Sequence, residues 1–336
     1  MNKKILIKAA EKGIISKEQV NALLAFINAE QTITESRSST GEQLKFMRSF
    51  GDIFIALGVL LLAITSNQLV LTFSYQLITI TVFFIISEWL VGHKRLVLPG
   101  IVLLLSILFF VNKVVDQSLP EYNYLDEILT ILTSLLFYLR YKMPFSLYPV
   151  AVGSIFLVIG VSGVDAIEQP YIFVVLGLIT FCVAMWYDSR DTRRITSLSD
   201  NAFWLHLLAA PLIVHGVMVS LLISEHNNLQ DNSLYILLLC IVFFFIALFV
   251  DRRAILVSSF AYASYSVFNL AYQQFMQIDN LSLFILMGIG LFIIVFGTYW
   301  YRIRKWVFSP IASWKICKLV PDFQIMPVKQ SIITGN

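Results

Sequence analysis

The sequence predicts an all-α, polytopic transmembrane helix bundle of about ten spans, preceded by a small helical hairpin. Three observations predict this fold class. Of the 336 residues, 58% are hydrophobic and 13% are charged, whereas about 25% of the residues of a soluble protein are charged. From residue 52 onward, apolar runs of spanning length alternate with short polar breaks. The lysines and arginines fall almost entirely in alternate breaks.

This composition excludes an ordinary soluble domain. One or two protein cores could not bury so much apolar surface, but a lipid bilayer solvates the outer faces of helices. We therefore expect the lipid bilayer to be a partner of the chain. No apolar run follows Lys3 and Lys4, so the sequence predicts no cleavable signal. The cysteines, Cys182, Cys240 and Cys317, have neither metal-ligand nor disulfide spacing.

Residues 1–31 are predicted to form a cytoplasmic helical hairpin. Apolar residues at helical spacing precede Gly13, which can end a first helix. Ser16 and Gln19 have the spacing of a capping box, which would open a second amphipathic helix. A DNA-binding helix-turn-helix is the alternative. The basic excess is slight and the segment is short and tethered to a membrane, so we expect a protein partner and no nucleic acid.

A linker and juxtamembrane helix are predicted at residues 32–50, the ten-span bundle at 51–301 and a cytoplasmic tail at 302–336. A spanning helix needs about 20 apolar residues. Asp126 and Glu127 shorten the apolar part of the fourth candidate. The ten candidate spans are residues 52–68, 71–91, 96–112, 124–139, 145–163, 171–187, 202–223, 234–250, 254–273 and 281–300.

The basic residues predict the orientation of these spans. Of the 24 lysines and arginines, 23 precede the first span, follow an even-numbered span or lie in the tail. Only Lys113 falls on the other side, where the breaks are acidic. Cytoplasmic loops of membrane proteins carry an excess of Lys and Arg. We therefore predict that both termini are cytoplasmic, and removing or adding one span would destroy the separation.

The first 90 residues resemble a known family. EKGIISKEQVNALLAF, a polar linker and FGDIFIALGVLLLAI are similar to the pattern of the DUF2157 group of bacterial membrane proteins. That pattern pairs a short helical domain with a first span that contains glycine. The resemblance implies a multi-pass protein of the bacterial inner (cytoplasmic) membrane with a small cytoplasmic domain. It implies no activity.

The ninth span contains an unusual number of polar residues. At 3.6 residues per turn, five of them share one helix face, and Ser259 and Ser266 widen that polar stripe. Polar groups that face lipid lack partners, so we expect the stripe to face the bundle interior or a wet cavity. It is either a solute pathway or a surface for hydrogen bonds between helices. The five residues are Ser258, Tyr262, Tyr265, Asn269 and Tyr272.

Glu88 is the candidate intramembrane acid, since it lies about one turn from the cytoplasmic end of the second span. It could couple transport to protons, or pair with Lys94, Arg95 or a neighbouring helix. His206 and His215 are nine residues apart in the seventh span. This spacing places them on opposite helix faces, so they are not expected to bind one ion together.

Glycines seven residues apart predict three close-packing faces: Gly51 and Gly58, Gly153 and Gly160, and Gly290 and Gly297. We find no catalytic, cofactor-binding or metal-binding motif in the sequence, and we expect no enzymatic activity and no cofactor. Two function classes remain. The first is a non-enzymatic sensor, scaffold or accessory subunit that binds its partner through residues 1–31. The alternative is a small-solute transporter with a pathway lined by the ninth span.

Overall fold

The computed structural model describes most of the apolar part of the chain. The described residues are 49–69, 72–118, 124–165, 169–192, 194, 196–222, 233–274 and 281–311, with 16, 18–20, 23, 314, 317 and 319–321. At the N-terminus, the backbone N–H of Gln19 donates to Ser16 Oγ (3.1 Å) and that of Ser16 to Gln19 Oε1 (2.8 Å). These two bonds confirm the capping box. The remainder of the predicted hairpin lies outside the described residues.

Ten long helices make up the described bundle, one for each predicted span. They are α1 (Phe50–Leu69), α2 (Phe73–Ser87), α3 (Val97–Ser118), α4 (Leu125–Tyr141), α5 (Leu147–Ser162), α6 (Tyr171–Arg190), α7 (Ser197–Leu222), α8 (Ser233–Val250), α9 (Ala254–Gln274) and α10 (Leu281–Phe308). A π-helical segment, Glu88–His93, continues α2, and single 3₁₀ turns lie at Pro144–Ser146 and Ser309–Ile311. No strand occurs among the described residues. The all-α polytopic fold is therefore confirmed.

Nine of the described helices are long and apolar enough to cross a membrane. The exception is α4, which has 17 residues and carries Asp126 and Glu127 in its first turn. Its length is nevertheless about 26 Å, close to the hydrocarbon thickness of a bilayer. Just before α4, the Tyr124 hydroxyl donates to the Gly160 carbonyl near the end of α5 (2.8 Å). Near its other end, Arg140 pairs with Glu88 beyond α2, so α4 crosses the bundle like its neighbours.

Contacts between helix ends show that the helices run up and down alternately. Near the ends of the odd-numbered helices α1 and α3, the Lys113 ammonium donates to Asn67 Oδ1 (2.6 Å). At the opposite end, Asn201 in the first turns of α7 donates to the Tyr138 hydroxyl near the end of α4 (3.0 Å). The even-numbered helices all end on this side of the bundle, which we call the basic face. It carries Lys94, Arg95, Arg140, Lys142, Arg190, Arg194, Arg252, Arg253, Arg302, Arg304 and Lys305.

Two buried apolar clusters form the core. One is centred on α3, where Leu103, Leu104 and Ile107 are fully buried. The other joins α7, α8, α9 and α10 and includes Trp300. Large apolar side chains cover the outer faces of the bundle, with Ile78 60% exposed and Leu286 66% exposed. Water would not solvate such a surface, whereas hydrocarbon does, and the chain is an integral membrane protein.

The last helix runs further than the sequence predicts. The predicted boundary between bundle and tail lies at residue 302, but α10 continues to Phe308. Beyond it, Cys317 and Val320 are buried against the second apolar cluster. The Arg304 guanidinium, itself 3% exposed, donates to the Pro321 carbonyl (2.7 Å) and to the Leu248 carbonyl (3.0 Å). The start of the predicted tail therefore belongs to the bundle, because Arg304 donates hydrogen bonds both to the backbone of α8 and to the backbone beyond α10.

The glycine prediction is confirmed for Gly153 and Gly160, whereas the described residues show no close packing at Gly58, Gly290 or Gly297. A Cβ atom at Gly153 would lie 3.3 Å from the Glu127 carbonyl oxygen, and one at Gly160 would overlap the Tyr124 ring. A Cβ atom at Gly58, Gly290 or Gly297 would meet no atom of the described residues within 4 Å. Spacing alone predicts that two glycines share a helix face. It does not predict whether another helix packs there.

The glycines of α6 and α7 lie close to the backbone of the opposite helix, and these two helices have the most extensive interface of the described helix pairs. A Cβ atom at Gly177 of α6 would lie 3.0 Å from the backbone nitrogen of Ile213. A Cβ atom at Gly216 of α7 would lie 3.0 Å from the backbone nitrogen of Val174. The contact is therefore reciprocal, and each glycine allows the other helix to approach. Small residues have this role at membrane helix interfaces.

Candidate functional site: a buried ionic cluster at the basic face

Each described turn that joins two helices at the basic face contains a residue with left-handed backbone geometry. The φ angles are 55° at Arg95, 53° at Lys142, 54° at Arg194 and 60° at Asp251. Helices often end in this conformation, but glycine is the usual residue because it has no Cβ atom to clash. Here four charged residues adopt this backbone conformation. The surrounding contacts therefore have to offset a conformational cost at every one of these turns.

The second half of the basic face contains a buried group of charges, which we call the ionic cluster: Asp188, Arg194, His206, Asp251 and Arg252. Asp188 lies in the last turn of α6, and its carboxylate accepts from Arg252 Nε (3.1 Å), with a second hydrogen bond from Arg252 Nη2. His206 Nε2 of α7 lies 2.9 Å from Asp188 Oδ2. All three side chains are at most 2% exposed. This two-pronged contact between guanidinium and carboxylate is among the strongest ion-pair geometries.

Arg252 also connects the cluster to the start of α7. Its Nη2 atom donates to the Ser199 carbonyl oxygen (3.2 Å). A single guanidinium therefore joins the end of α6, the first turn of α7 and the turn after α8. Because these three helix ends meet at buried charges, none of them can move away without exposing or unpairing a charge.

Arg194 and Asp251 form the second pair of the cluster. Arg194 Nη1 lies 3.0 Å from Asp251 Oδ2, and the two side chains are 10% and 7% exposed. The indole N–H of Trp300 donates to Asp251 Oδ1 (2.7 Å). The pair thus connects the turn before α7, the end of α8 and α10. Two aspartates, two arginines and a histidine balance one another, and this arrangement is suited to holding helices together.

The sequence alone does not predict this cluster. The predicted sixth span ends at residue 187, which leaves Asp188 just outside it. Arg252 is one of the 23 basic residues that predict the orientation of the spans. One signal was present, since an aspartate directly after an apolar run must find a partner or reach water. Its partner is 64 residues away along the chain, and no local pattern indicates that pairing.

Glu88 lies at the first position of the π-helical segment, and its carboxylate pairs with the Arg140 guanidinium of α4. The Tyr141 hydroxyl donates to Glu88 Oε2 (3.2 Å). Of the partners predicted for Glu88, the structure therefore shows the neighbouring helix, which is α4. The carboxylate side chain is 38% exposed, so this pair is more accessible than the ionic cluster.

The polar residues of the ninth span do not all face the same environment in α9. Ser258 Oγ donates to the Ala254 carbonyl of its own helix (2.9 Å). The Tyr262 hydroxyl lies 2.5 Å from His215 Nδ1 of α7, whereas Tyr265 is 41% exposed at the bundle surface. Asn269 is partly buried, and the side chain of Tyr272 lies outside the described part of the chain.

The most buried positions of α9 are Ile255, Ser259 and Ser266. The predicted stripe therefore lies at the edge of the buried face of α9, because α7 and α8 both pack against the adjacent side. His206 and His215, which the sequence places on opposite faces of α7, have different partners, Asp188 and Tyr262.

An apolar cleft lies between α8, α9 and α10. Its volume is about 570 Å³, and its lining includes Phe244, Phe245, Phe260 and Phe292. Ser264 is the one polar side chain among its lining residues, and its hydroxyl already donates to the Phe260 carbonyl (2.8 Å). This cleft is suited to hydrocarbon and not to a polar solute.

Comparisons with family models, with curated proteins and with solved structures find no match to this chain. The resemblance of the first 90 residues to the DUF2157 pattern stays a prediction. The function is therefore inferred from the geometry of the described residues.

Proposed function

We propose that the protein is a non-enzymatic sensor, scaffold or accessory subunit of a bacterial inner membrane. In this proposal residues 1–31 bind a cytoplasmic protein partner, and the bundle holds that segment at the membrane. The observation that carries the proposal is the closed ionic cluster. Asp188, His206 and Arg252 join three helix ends and are at most 2% exposed.

A static role agrees with this geometry better than a transport cycle does. Alternating access requires the helices to separate at one end of the bundle and then at the other. Separation at the basic face would break the Asp188–Arg252 pair, and unpairing a buried charge costs about 3–5 kcal/mol. A scaffold needs no such opening.

Transport of a small solute is the second candidate function, and one observation favours it. Ser266 Oγ and Asn269 Nδ2 are buried and have no hydrogen-bond partner among the described residues. Polar groups are costly in hydrocarbon unless a partner satisfies them. Water or a polar solute could supply that partner, as in a pathway between α7 and α9.

Thiol labelling distinguishes the two functions. Single cysteines at Tyr262, Tyr265 and Asn269, in a chain without its natural cysteines, are treated with a membrane-impermeant reagent in vesicles of both orientations. We expect all three to be protected, because a thiol must ionise in water to react. A cysteine at Asn280, in the polar break before α10, is the control that should label. Labelling at Tyr262 and Asn269 from either side would contradict the scaffold and support a pathway.

We further propose that the basic face is cytoplasmic. The 23-to-1 division of the basic residues supports this orientation. Topology reporters fused after Arg95, Lys142, Arg194 and Arg253 are expected to report the cytoplasm. Fusions after Glu121, Glu168, Asp231 and Asp279 are expected to report the opposite side. The matched sets control for each other, and a reproducible exchange between them would contradict the ten-span orientation.

A further inference from the structure

A second feature of the basic face lies in the first half of the chain, away from the ionic cluster. It is a pocket of about 440 Å³, bounded by the π-helical segment after α2, the start of α3, the end of α4 and the turn before α5. We call it the basic pocket. Arg95, Arg140 and Lys142 line it, and the buried side chains of Val91 and Met143 supply apolar surface. A volume of several hundred Å³ is typical of small-molecule sites.

Two of the three cations occupy left-handed turns. Arg95 has a φ of 55° and Lys142 a φ of 53°. Both turns follow helix ends, and both residues line the pocket. Strained conformations of this kind occur often at ligand sites.

The charges of the basic pocket do not balance. Glu88 pairs with Arg140 and accepts a hydrogen bond from Tyr141. Within the described part of the chain, neither Arg95 nor Lys142 forms an ion pair with a carboxylate. The Lys142 ammonium lies 5.7 Å from the centre of the Tyr138 ring, which leaves its charge available. Two positive charges thus remain beside an apolar floor.

We propose that the basic pocket binds the phosphate group of an anionic ligand, supplied by a phospholipid headgroup or by a soluble phosphorylated molecule. Guanidinium and ammonium groups are the usual protein partners of phosphate. Basic pockets between transmembrane helices bind anionic headgroups in other membrane proteins. The apolar floor at Val91 and Met143 would contact the carbon atoms next to the phosphate.

The test uses the purified full chain in mild detergent and native mass spectrometry. Phosphatidylglycerol and phosphatidylcholine with the same acyl chains are titrated separately, and inorganic phosphate is titrated in a third series. Wild type is expected to prefer phosphatidylglycerol. The double variant Arg95→Gln with Lys142→Gln is expected to bind it about 30-fold more weakly, because each cation near an anionic surface contributes about fivefold.

The matched control is Arg190→Gln with Arg302→Gln, which removes the same charge from the same face outside the pocket. Arg190 lies over the Trp186 ring at 3.8 Å and Arg302 lies 5.4 Å from the Tyr299 ring. This control should retain the wild-type preference. A second outcome is that inorganic phosphate binds to wild type and not to the pocket variant, while neither lipid is preferred. The ligand is then a soluble phosphorylated molecule.

Glu88→Gln keeps the test decisive if the double variant folds poorly. Removing the carboxylate frees Arg140 for the ligand, so this variant is expected to bind phosphatidylglycerol or phosphate more tightly than wild type. The proposal is overturned if the pocket variant binds both ligands like wild type, if the control loses binding equally, or if Glu88→Gln binds no more tightly.

Discussion

Arg252→Ala is expected to destabilise the bundle by about 3–5 kcal/mol, because it leaves the Asp188 carboxylate buried beside a neutral side chain. The guanidinium is 1% exposed and contacts both Asp188 and the Ser199 carbonyl. The measurement is reversible unfolding in mixed detergent micelles, followed by the loss of helical circular dichroism. The matched control is Arg302→Ala, which removes an exposed arginine from the same face and should change the free energy of unfolding little.

A compensated variant tests the cause of that loss. Replacing Asp188 by Leu, His206 by Leu and Arg252 by Met removes all three buried polar groups together. Apolar replacement of a buried ion pair is often neutral or stabilising, so this triple variant should be more stable than Arg252→Ala alone. If Arg252→Ala unfolds at the same detergent fraction as Arg302→Ala, the ionic cluster does not hold the helix ends together.

Gly177→Ala and Gly216→Ala are each expected to destabilise the bundle by about 1–3 kcal/mol, as overpacking does in a close-packed interface. The new methyl at Gly177 would lie 3.0 Å from the backbone nitrogen of Ile213, and that at Gly216 would lie 3.0 Å from the nitrogen of Val174. Backbone atoms cannot turn aside as side chains can. The helices would therefore have to separate.

The matched control for these variants is Gly58→Ala in α1, where a Cβ atom would meet no described atom within 4 Å. Alanine is favoured over glycine in a helix by about 0.8–1 kcal/mol, so this variant should be neutral or stabilised. Thermal unfolding of the three variants in one detergent shows whether each substitution raises or lowers the stability of the bundle. Equal effects at Gly58 and Gly177 would show that the α6–α7 contact is wide enough to accept a methyl group.

The helices could be predicted from the sequence because two independent patterns coincide. Apolar runs indicate where helices can span, and alternate basic breaks indicate how many there are. Even α4 was predicted, although it carries Asp126 and Glu127. The boundaries differ most where polar residues continue a helix. Ser197 and Ser199 begin α7 in the structure, whereas the predicted span starts at residue 202.

The candidate site could be predicted only in part, because its contacts join distant parts of the chain. The partnership of Glu88 with a neighbouring helix was one of the predicted alternatives, but its partner Arg140 is 52 residues away. Asp188 and Arg252 are separated by 64 residues. Helical spacing predicts which residues share a face of one helix. Which helix packs against that face depends on the tertiary arrangement, so the stripe of α9 could be predicted but not its position at the edge of the buried face.

The left-handed turns of the basic face also bear on how the chain is synthesised. A glycine at Arg95, Lys142 or Arg194 would relieve the backbone, but it would remove a cation from the point where a pair of helices leaves the translocation channel. Positive charge near a helix end favours retention on the cytoplasmic side. In the proposed cytoplasmic orientation of the basic face, each of the first three pairs of helices would carry its own retention signal at its left-handed turn. In that orientation, we expect the bundle to insert two helices at a time during translation.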